Sequence, residues 1–281
     1  MNEQHTDPVP TVPSAATDDR VRRFLGLEHT AEPERWRLPV VDAICGGRGA
    51  LYGGCGLAAV IEAAEGVTAK PTAWATVQFA SGATPPDVVD LEVDVLAAGY
   101  HMTQVRVTGT IAGNLFLLGL VALGRRPEIA HGRWERMPDV PPPDRCPPRK
   151  LANEERRGGL RPRIDERTAT NDADGYLTAD DEGRSAVWAT LPGGVPPLAS
   201  ALAIVGDDVS AGVAAAVGAD VRARSIDNTL RIVDPRPCDW VLADIKVHSV
   251  GGGLGHGNIN LWSDDGHLLA ISSQSGLVGP R

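Results

Sequence analysis

The chain has 281 residues and a net charge of −9 at pH 7, with 42% hydrophobic but only 4% aromatic residues. This acidic balance argues against nucleic acid as the main partner, because phosphate backbones select basic surfaces. The length suits two ordinary domains or one duplicated body with an aliphatic core. The four cysteines are far apart and show no C-x-x-C spacing. We therefore expect no metal site, no disulfide framework and a cytoplasmic location.

The chain begins with a polar stretch, so we expect residues 1–20 to form a disordered tail without a signal peptide. A first unit is predicted over residues 21–126, a linker over 127–159 and a second unit over 160–281. The linker is rich in proline and charged residues, a composition that cannot form a core and predicts an exposed segment. The longest apolar run, 111–123, is too short to span a membrane.

Each unit is predicted to open with an extended segment, continue with one helix and end in a series of strands. The helices are expected over residues 54–64 and 207–217. The second helix has small apolar residues on nearly all sides, which predicts burial on several sides. The strands alternate apolar and polar residues, and Asp265-Gly266 predicts a hairpin between the last two. One helix followed by an antiparallel meander, twice over, indicates an α+β fold.

The two units are related by a constant offset in the sequence. A shift of 153 residues superimposes four pairs of identical residues, namely Gly53 on Gly206, Thr76 on Thr229, Gly99 on Gly252 and Gly113 on Gly266. A nearly constant offset of this kind, with a local slip of one residue around Leu91 to Val95, indicates one structural unit that occurs twice. Polar positions at which the copies differ are therefore the places to look for chemistry.

Three motifs carry a resemblance to a known family. They are Leu51-Tyr52-Gly53-Gly54, Ser225-Ile226-Asp227-Asn228, and the closing run from Gly266 to Leu277, which contains Gln274. In order and spacing they resemble the type II acyl-CoA thioesterases, the family of bacterial thioesterase II and the peroxisomal acyl-CoA thioesterases. The resemblance implies a double hotdog, in which two tandem repeats each wrap an antiparallel sheet around one central helix.

The resemblance also implies a site and a reaction. In the family an Asp, a Thr and a Gln activate the water that attacks the thioester, and the matching residues are Asp207, Ser225 and Gln274. Backbone N–H groups at the start of the first helix, at Gly53 and Gly54, are suited to hold the oxyanion because these residues lack side chains. The implied activity is hydrolysis of fatty acyl-CoA, in fatty acid metabolism, without a cofactor. Acyl-CoA is then the partner, and the resemblance is compatible with a homodimer.

The residues themselves leave simpler interpretations open. At the 153-residue offset, Asp207 corresponds to a glycine and Gln274 to a valine, so the second unit holds a polar set that the first lacks. Taken alone, Asp207 is explained as a helix cap, Ser225 as an ordinary strand hydroxyl, and Gln274 as a solvent-facing strand residue. Asp208 lies next to Asp207 and could exchange roles with it.

Two other functions compete with hydrolysis. A hotdog hydratase acting on enoyl thioesters resembles this chain around Gly206-Asp207, but it needs a histidine where Gly212 stands. A non-catalytic acyl-CoA-binding protein would be consistent with the departures from the family pattern, which are Ser225 for Thr, Asn228 for His and Ser275 for Glu. Neither the preferred acyl length nor the pathway can be derived from the sequence.

Overall fold

The computed structural model describes residues 18–47, 49–125, 129–150, 159–191, 194–218 and 221–280. Most of the tail predicted over residues 1–20 lies outside the described residues, as do parts of the predicted linker.

The described residues of the first half contain two α-helices and six strands. The helices are α1 (Arg20–Leu25) and α2 (Gly53–Thr68). The strands are β1 (Glu28–His29), β2 (Arg35–Pro39), β3 (Thr72–Phe79), β4 (Val88–Ala98), β5 (Met102–Ile111) and β6 (Asn114–Gly124). Residues 54–65 of α2 are all buried, because β2 to β6 curve around this helix.

The described residues of the second half also contain two α-helices, and they contain seven strands. Its helices are α3 (Ala199–Val205) and α4 (Val209–Val217). Its strands are β7 (Glu166–Thr168), β8 (Arg184–Ala189), β9 (Val221–Ser225), β10 (Asp227–Ile232), β11 (Val241–Gly251), β12 (Leu254–Ser263) and β13 (Leu268–Pro280). Strands β4 and β11 begin and end at positions that are 153 residues apart, in agreement with the offset in the sequence.

All strands belong to one antiparallel sheet, with the order β1-β2-β4-β5-β6-β3-β10-β13-β12-β11-β8-β7, and β9 pairs with β13. The two halves meet where β3 pairs with β10, and the order on one side of this junction mirrors the order on the other. Thr76 lies opposite its own equivalent, Thr229, and their hydroxyl oxygens are 2.6 Å apart. The repeat therefore produces a local two-fold arrangement.

The second half differs from the predicted pattern in its helices. We expected one helix over 207–217, but α4 begins at Val209, and α3 precedes it and packs against α2. Ser200 of α3 donates a hydrogen bond of 2.5 Å to the buried Glu62 of α2. The prediction that the last helix is buried on several sides is wrong. Of its residues only Val209, Gly212 and Val213 are buried, because the sheet covers one face and the other borders a cavity.

The apolar stretch Ala199–Val217 is long enough, by length and composition alone, to cross a membrane. In the structure it consists of α3 and α4 joined by a turn, and 67% of its most apolar window is buried inside the protein. Burial of this kind is what apolar helices of a packed core show.

The predicted linker is not simply exposed. In its described part, Met137, Val140 and Cys146 pack on a second apolar cluster that contains Trp188 and Trp262. The Trp188 indole N–H donates to the Pro141 carbonyl at 2.9 Å. The expectation of a purely exposed segment was wrong here because β8 and β12 present large aromatic residues on their outer face, which the linker removes from water.

Candidate active site

Asp207 lies in the turn between α3 and α4, with 5% of its surface exposed. One carboxylate oxygen, Oδ2, accepts a hydrogen bond from the Gly54 N–H at the start of α2. The other, Oδ1, accepts from the Gln274 side-chain amide and, at 3.3 Å, from the Ser225 hydroxyl. The structure thus brings Asp207, Ser225 and Gln274 into contact with one another.

Gln274 lies within β13, and its side chain is buried. Its carbonyl oxygen accepts the N–H of Val209, the first residue of α4, at 3.0 Å. Its amide nitrogen therefore faces Asp207 and lies 3.3 Å from the Ser225 oxygen. The alternative of a solvent-facing strand position is wrong, because both ends of the amide are used inside the protein.

Ser225 ends β9, at a bend in the chain before β10 begins. It pairs with Gly276 of β13, two residues beyond Gln274. The Ile226 N–H donates to the Ser275 carbonyl at 2.9 Å and holds this bend. As a result, the Ser225 hydroxyl accepts from Gln274 and donates to Asp207 at the same time.

Gly53 and Gly54 form the start of α2, where Gly54 approaches α3 and Gly53 approaches the Asp207 carboxylate. A Cβ atom on Gly54 would lie 2.7 Å from the Ala203 carbonyl oxygen and 2.9 Å from the Ile204 Cα. The Gly54 N–H is already donated to Asp207, so it is occupied in this arrangement. The Gly53 N–H has no hydrogen-bond partner among the described residues, and it stays the predicted donor to an oxyanion.

Asp207 caps a helix, but not the helix that follows it in the chain. Its side chain does bond to a helix N-terminus, but this helix is α2 of the first half rather than α4, which follows it in the chain. The residue that precedes α4 is Asp208, and its side chain makes no capping hydrogen bond. Asp207 therefore joins the two halves of the molecule.

The two adjacent aspartates have opposite electrostatic environments. Burial raises the pKa of Asp207, and hydrogen bonds from Gln274 and Gly54 offset only part of this effect. Burial also acts to raise the pKa of Asp208, but the charges of Arg149 and Arg161 outweigh it and lower this pKa. Asp208 bonds to these two guanidinium groups at 2.6 and 2.8 Å, so it serves as an ion-pair partner rather than as a second base.

Several residues to which the sequence analysis assigned no role complete this region. The Tyr52 hydroxyl donates to the backbone carbonyl of Asp207, and the Arg161 guanidinium lies 5.4 Å from the centre of the Tyr52 ring. Glu166 joins the ion-pair network through Arg149 and Arg161. Apart from Arg161–Glu166, which are five residues apart, these contacts join positions 17 to 155 residues apart, so no local sequence pattern indicated them.

A second group holds the turn that carries Asp207. The Ser272 hydroxyl lies 2.8 Å from the Gly206 carbonyl oxygen and 3.1 Å from the side-chain oxygen of Asn228. Asn228, which stands where the resembled family has histidine, is buried. Through Ser272, Asn228 is connected to the backbone carbonyl that immediately precedes Asp207.

A cavity of about 400 Å³ opens beside this site and is lined by both halves of the chain. Asp207, Ser225 and the start of α2 at Gly53 form part of its wall. Its apolar lining includes Leu51, Phe79, Phe116, Ala211 and Ala214. The site can therefore offer a buried carboxylate, two polar orienting side chains and a helix N-terminus to a partly apolar ligand. No group of three or more metal-binding side chains occurs in the described part of the chain.

Comparisons with known proteins concern the family and the fold of this chain. Residues 143–278 match the family described as acyl-CoA thioesterase C-terminal domain. No match was found among curated proteins. A solved structure of a candidate thioesterase from Novosphingobium aromaticivorans is 28% identical, with a TM-score of 0.78, and the match covers 90% of this chain and 98% of that chain.

Two more distant structures support the fold alone. A hotdog-fold protein from Alicyclobacillus acidocaldarius is 18% identical, with a TM-score of 0.79 and coverage of 93% of this chain and 98% of that one. Acyl-CoA thioesterase II TesB2 of Mycobacterium marinum is also 18% identical, with a TM-score of 0.70 and coverage of 93% and 97%. Together the comparisons confirm the resemblance and the fold that the three motifs indicated.

Proposed function

We propose that this chain, a double-hotdog protein with the resemblance to type II acyl-CoA thioesterases described above, hydrolyses fatty acyl-CoA to free fatty acid and CoA. One observation carries the proposal. The Asp207 carboxylate is buried at a cavity wall, where Gln274, Ser225 and the Gly54 N–H all donate to it. A carboxylate held in this way is oriented as a general base.

The reaction begins with a water molecule between the carboxylate and the thioester carbonyl. Asp207 takes a proton from this water while the water oxygen bonds to the carbonyl carbon. Ser225 and Gln274 orient the carboxylate and the water. The carbonyl oxygen becomes an oxyanion, which the Gly53 N–H stabilises at the positive end of α2. The tetrahedral intermediate then collapses, the C–S bond breaks, and the proton held by Asp207 passes to the thiolate.

The rest of the cavity supports an acyl substrate. Small side chains of α4, such as Ala211 and Ala214, and the aromatic rings of Phe79 and Phe116 provide an apolar wall beside the carboxylate. Hydrolysis by a carboxylate base needs no cofactor, because water supplies both the nucleophile and the proton. The exposed side of α4, which the sequence analysis expected to be buried, is thus explained as a wall of the substrate cavity.

The structure does not favour a hydratase, which would need a histidine at the position of Gly212. Gly212 packs so closely on β11 that a Cβ atom there would lie 2.6 Å from the Ile245 Cγ2 atom. An imidazole at this place would need the helix to move away from the sheet. The remaining alternative is a non-catalytic acyl-CoA-binding protein, and an experiment has to distinguish it from a thioesterase.

Release of free thiol from a panel of short-, medium- and long-chain acyl-CoAs tests the proposal. We expect turnover of at least one chain-length class, with stoichiometric formation of CoA and free acid. An enoyl-CoA in the same panel, followed by its absorbance, serves as the control for hydration. Retention of unchanged acyl-CoA by the folded protein, without thiol release from any substrate, would contradict the enzymatic function and favour the binding protein.

A further inference from the structure

Strand β9, which ends at Ser225, carries two arginines at the cavity. The side chains of Arg222 and Arg224 are exposed, whereas Val221, Ala223 and Ser225 between and beside them are half-buried. All five residues line the cavity. Among the described residues neither guanidinium has a hydrogen bond or an ion pair. These arginines are therefore available to an external ligand.

The other charged groups of the cavity wall balance one another. Arg149 and Arg161 are paired with Asp208 and Glu166 in the buried network described above. Burial of Arg149 to 3% side-chain exposure leaves it no access to a ligand. Among the described residues that line the cavity, the charged groups without an ion-pair partner are thus Asp207, the base, and the two arginines on β9.

The positive charge of Arg222 and Arg224 is opposite in sign to the net charge of the whole chain. A protein with a net charge of −9 repels anions at long range, so an anionic ligand needs a local cationic surface to bind. Arginine is suited to phosphate, because its planar guanidinium donates two parallel hydrogen bonds to phosphate oxygens. The position of the arginines at the cavity thus favours a ligand that is apolar at one end and phosphorylated at the other.

We propose that Arg222 and Arg224 bind the nucleotide phosphates of CoA, and this inference rests on the proposed thioesterase function. A strand rises about 3.3 Å per residue, so Arg222 lies about 10 Å along β9 from Ser225. The thioester sits at Ser225, the pantetheine arm follows β9, and the phosphates reach the exposed arginines. The acyl chain then occupies the apolar part of the cavity beside α4.

Calorimetric titration of CoA and of pantetheine, which lacks the nucleotide, tests the inference. The double variant R222Q/R224Q should bind CoA about 10-fold more weakly or worse, the loss expected when charge-assisted hydrogen bonds to phosphate are removed. Its affinity for pantetheine should not change. The matched control is Arg231→Gln, which neutralises an exposed arginine of β10 that does not line the cavity. This control should bind CoA as the parent does.

Equal CoA affinity of parent and double variant would overturn the inference, as would an equal loss for pantetheine. Thiol release measured in parallel separates this result from a failure of the proposed function. An active enzyme should show a raised KM for acyl-CoA in the double variant, with kcat unchanged and with no change for acyl-pantetheine. Arginine-dependent CoA binding without any thiol release would support the inference and contradict the hydrolytic function.

Discussion

At the scale of single residues, the neighbouring aspartates show how environment assigns different roles to one side-chain type. Burial raises the pKa of Asp207, and hydrogen bonds from its uncharged donors offset only part of this effect. Asp208 pairs with two guanidinium groups, and its pKa is lowered. When the environments of two carboxyl groups move their pKa values apart, the group with the raised value is the better proton acceptor of the two. This favours Asp207 as the base.

The raised pKa of Asp207 predicts the pH dependence of the reaction. A general base must be ionised, so kcat/KM should fall as the pH is lowered through the pKa of this carboxyl. Because burial raises this pKa, the midpoint of the fall should lie above 3.8, the ordinary value for an aspartate. Steady-state rates measured across the acidic range check the prediction, with circular dichroism at each pH to separate titration from unfolding. A midpoint at or below 3.8 would contradict it.

At the scale of elements, the site depends on how closely α2 and α3 approach each other. Gly54 allows this approach, because α3 backbone atoms occupy the space that a side chain would take. The approach places the Gly54 N–H against the carboxylate that follows α3. The contact between α2 and α3 thus determines both the packing of these helices and the orientation of the base.

Replacement of this glycine tests the role of the contact. Gly54→Ala should lower the free energy of unfolding by about 1 to 3 kcal/mol, the usual cost of forcing a methyl group into a packed interior. Urea denaturation measures this change. The matched control is Gly251→Ala, since a Cβ atom there would have nothing within 4 Å. Equal stability of Gly54→Ala and the parent would show that α3 moves aside without cost.

The strands could be predicted from the sequence better than the helices. Alternation of apolar and polar residues and the Asp265-Gly266 turn are local signals, and the hairpin between β12 and β13 agrees with them. Helix α3 escaped prediction because it is only seven residues long and almost entirely apolar, so it shows no helical periodicity. The buried part of the linker depends on Trp188 and Trp262, which lie far away in the sequence, and composition alone cannot reveal such a contact.

Only part of the candidate site could be predicted from the sequence. Asp207, Ser225 and Gln274 were named through family motifs, since each residue alone has a simpler explanation. Their assignment as catalytic residues stays a prediction. Tyr52 and the ion-pair network around Asp208 could not be inferred, because their partners are a backbone carbonyl and charges in irregular segments. Contacts of this type follow from the tertiary fold and produce no recognisable spacing of residues in the sequence.

At the scale of the whole molecule, the site arises from the local two-fold arrangement of the repeat. Gly54 and Asp207 are separated by 153 residues, so they are equivalent positions of the two halves, and they touch each other. Aspartate at both positions would place two carboxylates in contact at this junction, which is unfavourable when they are buried. Glycine in one half supplies a backbone donor and the space for the carboxylate of the other. Duplication followed by this asymmetry accounts for one candidate site, rather than two, among the described residues of the two similar units.

The most direct test of this account compares the hydrolysis rates of Asp207→Asn and the parent on the best acyl-CoA of the panel. The amide keeps the size of the side chain but cannot take a proton, so kcat should fall about 100-fold or more. Asp244→Asn, which changes an equally buried aspartate paired with Arg184 outside the cavity, is the matched control and should retain the parent rate. If folded Asp207→Asn released thiol at the parent rate, Asp207 would not be the base and the central claim would be wrong.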